Sequence, residues 1–501
     1  MLFTLLGVIL TCTVTWLYLR WLKVRSFWGK RGVPHEPPHP IFGSLTHLTK
    51  INTSKWMIAV YNKYKHKTPY VGIWLFWRPA LIVNDPEIGR RVLVKDADVF
   101  RDRFLNSGKS DPIGCLNIFS VNDPTWSRVR RHLTPVFTTA KIKHIQNLIA
   151  QKSKELVQRI QIESSKNKLI DIRTMFADFS TDIIGTAAFG VKCNATLTGK
   201  DPMRSVTKSF QTYSFIRGLN FVSIMFFPEL ADIFRFSFFP KSATDYFTKI
   251  FRAVVKERGG YDKPVEEIKD LLDTLLKMKQ NAAKESDFMS EELLIAQATI
   301  FVQGAFETSS NTLAVAIYEL AYNTEVQEKL YREIVDIKER LGGEDFTVDA
   351  LADATYLNCV IDETLRKYPP MGWLDRVARK EYQIDENLTI PAGTPVYVNF
   401  VGMQVDPDYY PEPQLFKPER FLPEAKGDLT PFTYAPFGEG PRNCIGRRFG
   451  QQTVRFGLAS VILNYELKPL PNMPLPNDIE FNKNAPFLLV ELLHVNFVPR
   501  H

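Results

Sequence analysis

The sequence predicts a mainly α-helical protein with a minor β-sheet region and one N-terminal transmembrane helix. Apolar residues recur at helical spacing in four long segments, near residues 141–165, 290–322, 325–341 and 356–368. Two short runs rich in β-branched and aromatic residues, near 70–84 and 394–401, are typical of strands. The first 19 residues are mostly apolar and carry no charged side chain.

Residues 1–22 are predicted to form a membrane anchor. A helix with a rise of about 1.5 Å per residue nearly crosses a hydrocarbon core of about 30 Å over this length. Trp16, Tyr18 and Trp21 cluster at one end, as interfacial rings do, and basic residues follow from Arg20 onward. This asymmetry places Met1 outside and the remaining chain in the cytosol. A cleaved signal peptide is the alternative, but its basic start and small-residue cleavage site are not visible.

The rest of the chain is predicted to be a spacer followed by one domain. Residues 23–50 are basic and proline-rich, which is typical of a stiff, extended connection. Residues 51–501 contain no Gly/Ser linker and no repeat, so we expect a single large domain. Within it, the charged segment 256–292 is expected to be a solvated connection.

Composition excludes several classes of protein. The 63 Lys and Arg against 55 Asp and Glu give a net charge of +8, which is too small an excess to indicate a nucleic-acid partner. Five scattered Cys argue against a disulfide scaffold or a multi-Cys zinc site. The 36 Phe require a large core, an apolar pocket or a membrane. Eight of them lie in 213–240, which predicts either core helices or a segment at the membrane interface or over a pocket.

The stretch 436–446, Pro-Phe-Gly-Glu-Gly-Pro-Arg-Asn-Cys-Ile-Gly, carries the strongest chemical signal. Gly438 and Gly440 permit a tight turn, and Arg442 offers a planar cation to an anion. Cys444 ends the loop just before a predicted helix, whose positive end is expected to lower the pKa of the thiol. Gly446 leaves room for a flat group. A lone cysteine is more often a small buried apolar residue, but three glycines and an arginine surround this one.

The pattern Phe-Gly-x-Gly-x-Arg-x-Cys-x-Gly, with every fixed position filled, resembles the haem-binding loop of the cytochrome P-450 monooxygenases. The resemblance implies the cytochrome P-450 fold and haem b as the cofactor. It makes Cys444 the axial thiolate ligand of the haem iron, which favours O–O cleavage. It places Phe437 and Gly446 beside the haem and pairs Arg442 with a propionate. The chain looks most like insect microsomal members that metabolise xenobiotics.

Further family motifs follow in the same order. Trp126 and Arg130 match a Trp-x-x-x-Arg helix whose two side chains hydrogen-bond a propionate, and Arg376 stands where the family has another propionate arginine. Three residues match a buried structural triad, whose members must satisfy one another: Glu363, Arg366 and Arg420.

The predicted helix around residues 296–320 contains Glu307 and Thr308. A carboxylate beside a hydroxyl in an otherwise apolar helix is costly unless it is functional. The resemblance implies that Thr308 orients dioxygen and its waters and that Glu307 helps relay protons. Ala305 stands where the family usually has Gly, and its methyl group is expected to narrow the oxygen groove or shift water.

The activity implied is insertion of one oxygen atom from O2 into apolar small molecules, such as plant toxins, insecticides, hormones or other lipids. Electrons would come from NADPH through NADPH–cytochrome reductase, with cytochrome b5 as a further candidate partner, on the cytosolic face of the endoplasmic reticulum membrane (the microsome). The reductase docks through an acidic surface, for which six basic residues are candidates: Arg128, Arg131, Lys141, Lys143, Arg447 and Arg448. No nucleic-acid partner is expected.

Eight residues fall in regions that contact substrate in the family: Ile118, Phe119, Phe210, Tyr213, Phe301, Met371, Trp373 and Phe487. Two alternative functions remain open. One is a haem-thiolate isomerase or dehydratase, which needs neither oxygen nor a reductase. The other is a non-catalytic membrane haem sensor or carrier. The retained Glu307–Thr308 pair and the intact cysteine loop speak against both.

Overall fold

The fold was analysed in a computed structural model, which describes residues 1–166, 168–212, 214–284, 289–485 and 487–500. Helices make up most of it, which confirms the mainly α prediction. Ten helices lie before residue 211: α1 Leu2–Arg25, α2 Thr53–Tyr64, α3 Pro86–Arg90, α4 Pro112–Leu116, α5 Thr125–Leu133, α6 Thr139–His144, α7 Gln146–Ser165, α8 Ile172–Phe189, α9 Ala195–Thr198 and α10 Pro202–Phe210.

Ten more helices follow: α11 Phe215–Phe226, α12 Pro228–Ile233, α13 Lys241–Glu257, α14 Leu271–Lys284, α15 Glu291–Tyr322, α16 Thr324–Arg340, α17 Val348–Ala352, α18 Thr355–Lys367, α19 Phe400–Met403 and α20 Arg447–Asn464. All four predicted helical segments are present, although the first one breaks at Ile145 between α6 and α7. The predicted strand at 394–401 is shorter than expected. It stops at Val398 because the Asn399 side chain accepts a 3.2 Å hydrogen bond from Gly402 N and begins α19.

The sheets are small. The main sheet has four strands: β1 Tyr70–Leu75, β2 Arg78–Val83, β3 Leu374–Val377 and β6 Pro395–Val398, in the order β1-β2-β6-β3. Its β2–β6 pair is parallel and the other pairs are antiparallel. Two further pairs of strands are β4 Tyr382–Gln383 with β5 Thr389–Ile390, and β7 Tyr465–Lys468 with β8 Asn496–Pro499. β3 matters for function because it carries Asp375 and Arg376.

Helix α15 runs through the centre of the core. It is apolar nearly all round and is buried along most of its length, as such a sequence requires. It packs against α8 and α20, and the latter directly follows the cysteine loop. Ser290 caps its start by accepting a 3.2 Å hydrogen bond from Leu293 N. The central helix therefore faces the loop that carries Cys444.

Helix α1 is long and apolar enough to cross a membrane, with a mean hydropathy of 2.0 and none of its apolar window buried in the protein. The residues after it do not form the expected extended spacer. Trp28 is fully buried and its Nε1 donates a 2.9 Å hydrogen bond to Ile73 O, while Trp74 Nε1 donates one of 3.0 Å to Val24 O. Gly72 makes room for Trp28, since a Cβ there would lie 2.4 Å from its ring. The 23–50 segment is thus held against β1.

Two segments differ from what their composition suggested. The charged stretch 256–292 contains α14, whose buried side chains include Leu272, Leu275 and Leu276, so the prediction of a solvated connection is wrong there. The charged residues between these leucines obscured their helical spacing. In 213–240, five of the Phe side chains are buried, namely Phe221, Phe226, Phe227, Phe238 and Phe239, and two are exposed, Phe215 and Phe234. Most of its phenylalanines therefore belong to the core.

Candidate active site

A cavity of about 310 Å³ lies between α15, α5 and the loop 436–446. Its wall is mostly apolar, with contributions from Ile118, Phe119 and Phe301. Three groups of different chemistry also reach it: the Cys444 thiol, a set of arginines and the Thr308 hydroxyl. An apolar cavity with a few convergent polar groups is the usual form of a small-molecule site.

The loop before α20 holds Cys444 at the wall of this cavity. Gly438 and Gly440 have φ angles of +70° and +74°, in the left-handed region that favours glycine. Gly440 also lies close to the backbone of Leu93, and a Cβ there would be 1.8 Å from Leu93 O. The loop closes through a 2.7 Å hydrogen bond from Cys444 N to Phe437 O. Phe437 itself lines the cavity.

Cys444 is exposed at the cavity wall, yet protein surrounds the rest of it. Burial raises the pKa of the Cys444 thiol, and the Gly446 N–H with the nearby charges of Arg130 and Arg447 only partly offsets this. The expected lowering of this pKa is therefore wrong for the chain by itself. A metal cation at the sulfur would favour the thiolate directly, as bound cations do for coordinating thiols.

Buried guanidinium groups concentrate positive charge on one side of the cavity. Arg103 and Arg442 line it, and the charge of the fully buried Arg376 acts on Arg442. Burial, followed by the charges of Arg103 and Arg376, lowers the pKa of Arg442 to about 8. Burial and Arg103 lower the pKa of Arg376 to about 9. The environment thus disfavours these cations unless an anion joins them.

The available carboxylate is Asp375. Burial raises its pKa, but Arg103 and Arg376 outweigh burial and hold it below the ordinary value. Arg103 Nη1 donates a 2.8 Å hydrogen bond to Asp375 Oδ1. Asp102, which is partly exposed, lies 3.8 Å from Arg442. The cluster keeps a surplus of buried positive charge.

Arg442 is held in a fixed orientation by Trp126 and by the backbone. Its guanidinium lies 4.3 Å from the Trp126 ring centroid, and Nη2 donates a 3.0 Å hydrogen bond to Val121 O. Its Nη1 is buried and has no hydrogen-bond partner among the described residues. An unpaired buried donor is costly, so this atom points to an acceptor supplied by a ligand.

Arg130 lies one turn after Trp126 on α5 and also reaches the cavity. Its Nη1 donates a 2.9 Å hydrogen bond to Asn443 O, and its Nη2 donates one of 2.7 Å to Asn443 Oδ1. Burial lowers the pKa of Arg130, against the charge of Cys444. Arg130 therefore ties α5 to the residue before the thiol.

These residues fit a flat dianionic cofactor such as haem. A Cβ built on Gly446 or on Gly304 meets nothing within 4 Å, so both glycines border open space. The thiol is at the same wall, and the surplus of cations with the unpaired Arg442 Nη1 matches two propionates. The described residues offer no cluster of three His, Cys, Asp or Glu side chains for a bare metal ion.

Helix α15 brings Thr308, but not Glu307, to the cavity wall. Thr308 is exposed to the cavity, and its Oγ1 donates a 2.6 Å hydrogen bond to Gly304 O, which leaves the hydroxyl oxygen free to accept. Glu307 is 6 % exposed and is not among the described residues that line the cavity. Ala305 does line it, so its methyl group faces the space where the family usually has none.

The predicted triad of Glu363, Arg366 and Arg420 is present. Arg366 donates to Glu363 through Nε at 2.7 Å and Nη2 at 2.8 Å, and both side chains are fully buried. Arg420 Nε lies 3.4 Å from Glu363 Oε1. Lys417 N adds a 2.9 Å hydrogen bond to that oxygen. The buried Glu363 carboxylate thus has three partners, which compensate its charge.

The predicted pocket residues divide into two groups. Ile118, Phe119, Phe301 and Met371 line the cavity. The others lie elsewhere: Phe210 and Trp373 are buried in the core, Phe487 is half-buried outside the lining, and Tyr213 lies outside the described residues.

Sequence reasoning missed Arg103, Phe137 and Asp375. Arg103 stands in Arg101-Asp102-Arg103, a charged run that resembles a solvated surface, and only the fold shows that it is buried. Asp375 is next to the predicted Arg376, and this adjacency was the one available signal, since the strand that carries both was not predicted. Phe137 follows α5, and no feature of the sequence indicated that it lines the cavity.

The six candidate basic residues for a partner surface differ in their environment. Arg131, Arg447 and Arg448 are exposed. Lys143 is exposed but pairs with Asp349 at 2.6 Å, and Lys141 donates a 3.1 Å hydrogen bond to Ile268 O. Arg128 is half-buried. The exposed arginines are therefore the stronger candidates for an acidic partner.

Comparison with known proteins gives a consistent result. The family model described as Cytochrome P450 matches residues 33–491. Cytochrome P450 6j1 of Blattella germanica is 34 % identical over 494 residues, which cover 98 % of this chain and 96 % of that protein. Cytochrome P450 6k1 of the same insect is 32 % identical, with coverage of 94 % and 93 %. Cytochrome P450 6a2 of Drosophila melanogaster is 33 % identical, with coverage of 90 % and 91 %.

Proposed function

The chain belongs to the cytochrome P450 family, and from this premise we propose that Cys444 is the axial ligand of its haem iron. Members are haem-thiolate monooxygenases, so the cofactor is haem and the enzyme is an oxidoreductase. When bound, haem supplies the chemistry that activates dioxygen and transfers one of its oxygen atoms. The protein supplies binding, orientation and control of protons and water.

The observation that carries this proposal is the buried Nη1 of Arg442, which lacks a partner beside a cavity that also contains a thiol. Arg442 and Arg376 would neutralise one propionate, and Trp126 with Arg130 would bind the other. Phe437 and Gly446 would flank the macrocycle next to Cys444. The arginine contacts would remove costs that the chain carries alone, namely an unpaired donor and surplus charge.

On α15, Thr308 would orient dioxygen and its waters through its hydroxyl. The hydroxyl can accept one hydrogen bond while it donates to Gly304 O at 2.6 Å. Glu307 would act as a proton relay behind this threonine. Because its side chain is buried and does not line the cavity, it would act through water or by rotation of its side chain.

The substrates would be apolar small molecules. The residues above the site that face the cavity include Ile118, Phe119, Phe301 and Met371, which offer dispersion contacts and no charge. Xenobiotics such as plant toxins or insecticides, and endogenous lipids or hormones, have this character. Residues 51–501 would form the single catalytic domain that contains haem and substrate.

Electrons would come from NADPH through a reductase on the same membrane, with cytochrome b5 as a second donor. The exposed Arg131, Arg447 and Arg448 lie near the cysteine loop and suit an acidic docking surface. Helix α1 would anchor the enzyme in the endoplasmic reticulum membrane, with the basic residues after it keeping the catalytic domain in the cytosol.

The proposal is tested by the difference spectrum of the reduced protein with carbon monoxide. The parent should show the Soret band of a thiolate-ligated haem, and Cys444→Ser should lose it. A thiolate band that persists in the variant would overturn the assignment of Cys444. NADPH consumption with reductase across a panel of apolar compounds then tests the activity. Correctly bound haem with no oxygenated product would favour a sensor or carrier, and product formed without NADPH or O2 would favour an isomerase or dehydratase.

A further inference from the structure

A second, smaller cavity of about 180 Å³ lies beside the proposed haem site. It is enclosed by α6 with the residue that follows it, by α8, by the segment 267–271 at the start of α14, and by Phe449 of α20. Most of its wall is apolar, including Val136, Ile142, Ala187, Ala188 and Leu271. No step of the proposed reaction uses it.

The two cavities share three wall residues, Phe137, Ile184 and Phe449. The shared wall is therefore made in part of these side chains. Ile184 and Phe449 are buried, whereas Phe137 is half-buried. The Phe137 ring lies 5.2 Å from the ring of Phe301, a residue of α15 that lines the larger cavity. Rotation of Phe137 would join the two spaces, since less tightly packed side chains change rotamer quickly.

The chemistry of the small cavity selects what can pass. The apolar part of its wall accepts small apolar guests such as xenon. Charged side chains of both signs also line it, namely Lys141, Lys269, Glu267 and Asp270, so it does not attract one kind of ion. The volume is too small for the apolar substrates proposed above but is ample for a diatomic gas.

We propose that this cavity is a passage by which dioxygen reaches the space at Phe301 while substrate occupies the larger cavity, with Phe137 as its gate. The inference rests on the proposed haem site. It assigns to the chain a route to this space that does not pass Ile118 and Phe119 of the larger cavity. Dioxygen is small, neutral and apolar, so it suits both the volume of the cavity and the apolar part of its lining.

The test blocks the passage at two points that do not line the larger cavity. Ala187→Trp fills it from α8, and Val136→Trp fills it from the segment after α5. Gln151→Trp, on an exposed position of α7, is the matched control. The holoproteins are reduced, and carbon monoxide recombination after flash photolysis gives the bimolecular rate constant. Xenon occupancy of the cavity is measured under pressure in the same proteins.

Both blocking variants should recombine several-fold more slowly than the parent and lose the xenon signal, while the control matches the parent. Their carbon monoxide spectra should keep the parent band, which shows that the haem site is intact. Unchanged rates in either variant with an intact spectrum would overturn the passage. Absence of the band in the parent would instead contradict the proposed haem site, so the two failures are distinguishable.

Discussion

Asp375 Oδ1 accepts a 2.8 Å hydrogen bond from Nη1 of Arg103, and both side chains are buried. This pair stands beside two further buried guanidiniums, those of Arg376 and Arg442. One buried carboxylate thus serves three cations. Such an arrangement destabilises the protein without its cofactor and favours the binding of a dianion.

Replacement of Arg376 by Met should separate the cost of this buried charge in the haem-free protein from its contribution to haem binding. Removal of one buried like charge should stabilise the haem-free protein by about 1–2 kcal/mol, since an uncompensated buried charge costs more than an apolar side chain of similar size. Haem content should fall, because one propionate loses its cation. Urea unfolding of the haem-free protein and the ratio of Soret to protein absorbance measure the two quantities. Arg379→Met removes an exposed arginine that binds Asp102 at 2.8 Å, and it should change neither. A lower stability of the haem-free Arg376→Met protein would contradict the argument.

Substitutions at two glycines of the cysteine loop should affect different properties, haem binding at Gly446 and stability at Gly440. Gly446 has a φ of −89° and open space at its Cβ position, so Gly446→Val should fold and unfold like the parent but retain little haem. Gly440 has a φ of +74° and would place a Cβ 1.8 Å from Leu93 O, so Gly440→Ala should lose stability whether or not haem is present. Circular dichroism melts and haem content distinguish the two. Normal haem content in Gly446→Val would show that the space above this glycine is not used by the cofactor.

Motif spacing predicted which residues would meet, but it did not predict the environment that surrounds them. Cys444, Arg442 and Trp126 come together as expected, because a loop and a helix of fixed local geometry carry them. The direction of the Cys444 pKa was wrong, since burial depends on distant segments that enclose the loop. Arg103 and α14 were missed for the same reason, because charged neighbours in sequence conceal a side chain that only the tertiary fold buries.

Glu363 should be a structural residue whose loss is expensive. Glu363→Gln leaves Arg366 buried with a neutral partner and should lower the free energy of unfolding by about 3–5 kcal/mol. Glu87→Gln is a matched control, because Arg90 also lies three residues later and donates two hydrogen bonds of 2.8 Å, but this pair is exposed. The control should unfold like the parent. Denaturant titration of the holoproteins measures both. Equal stability of the two variants would remove the case for a buried triad.

Thr308 should control how much of the electron supply reaches the product. Its hydroxyl donates to Gly304 O at the cavity wall, and a water held there can deliver protons. Thr308→Ala should lower product formed per NADPH by on the order of 10- to 100-fold, because a positioned proton donor is lost, and release hydrogen peroxide instead. Thr308→Ser should keep most of the coupling. Thr299→Ala removes a hydroxyl from the same helix with the same kind of hydrogen bond, 2.8 Å to Ile295 O, but in the core, and it should not change the ratio. Equal coupling in the Thr308→Ala protein and the parent would assign proton delivery to another group.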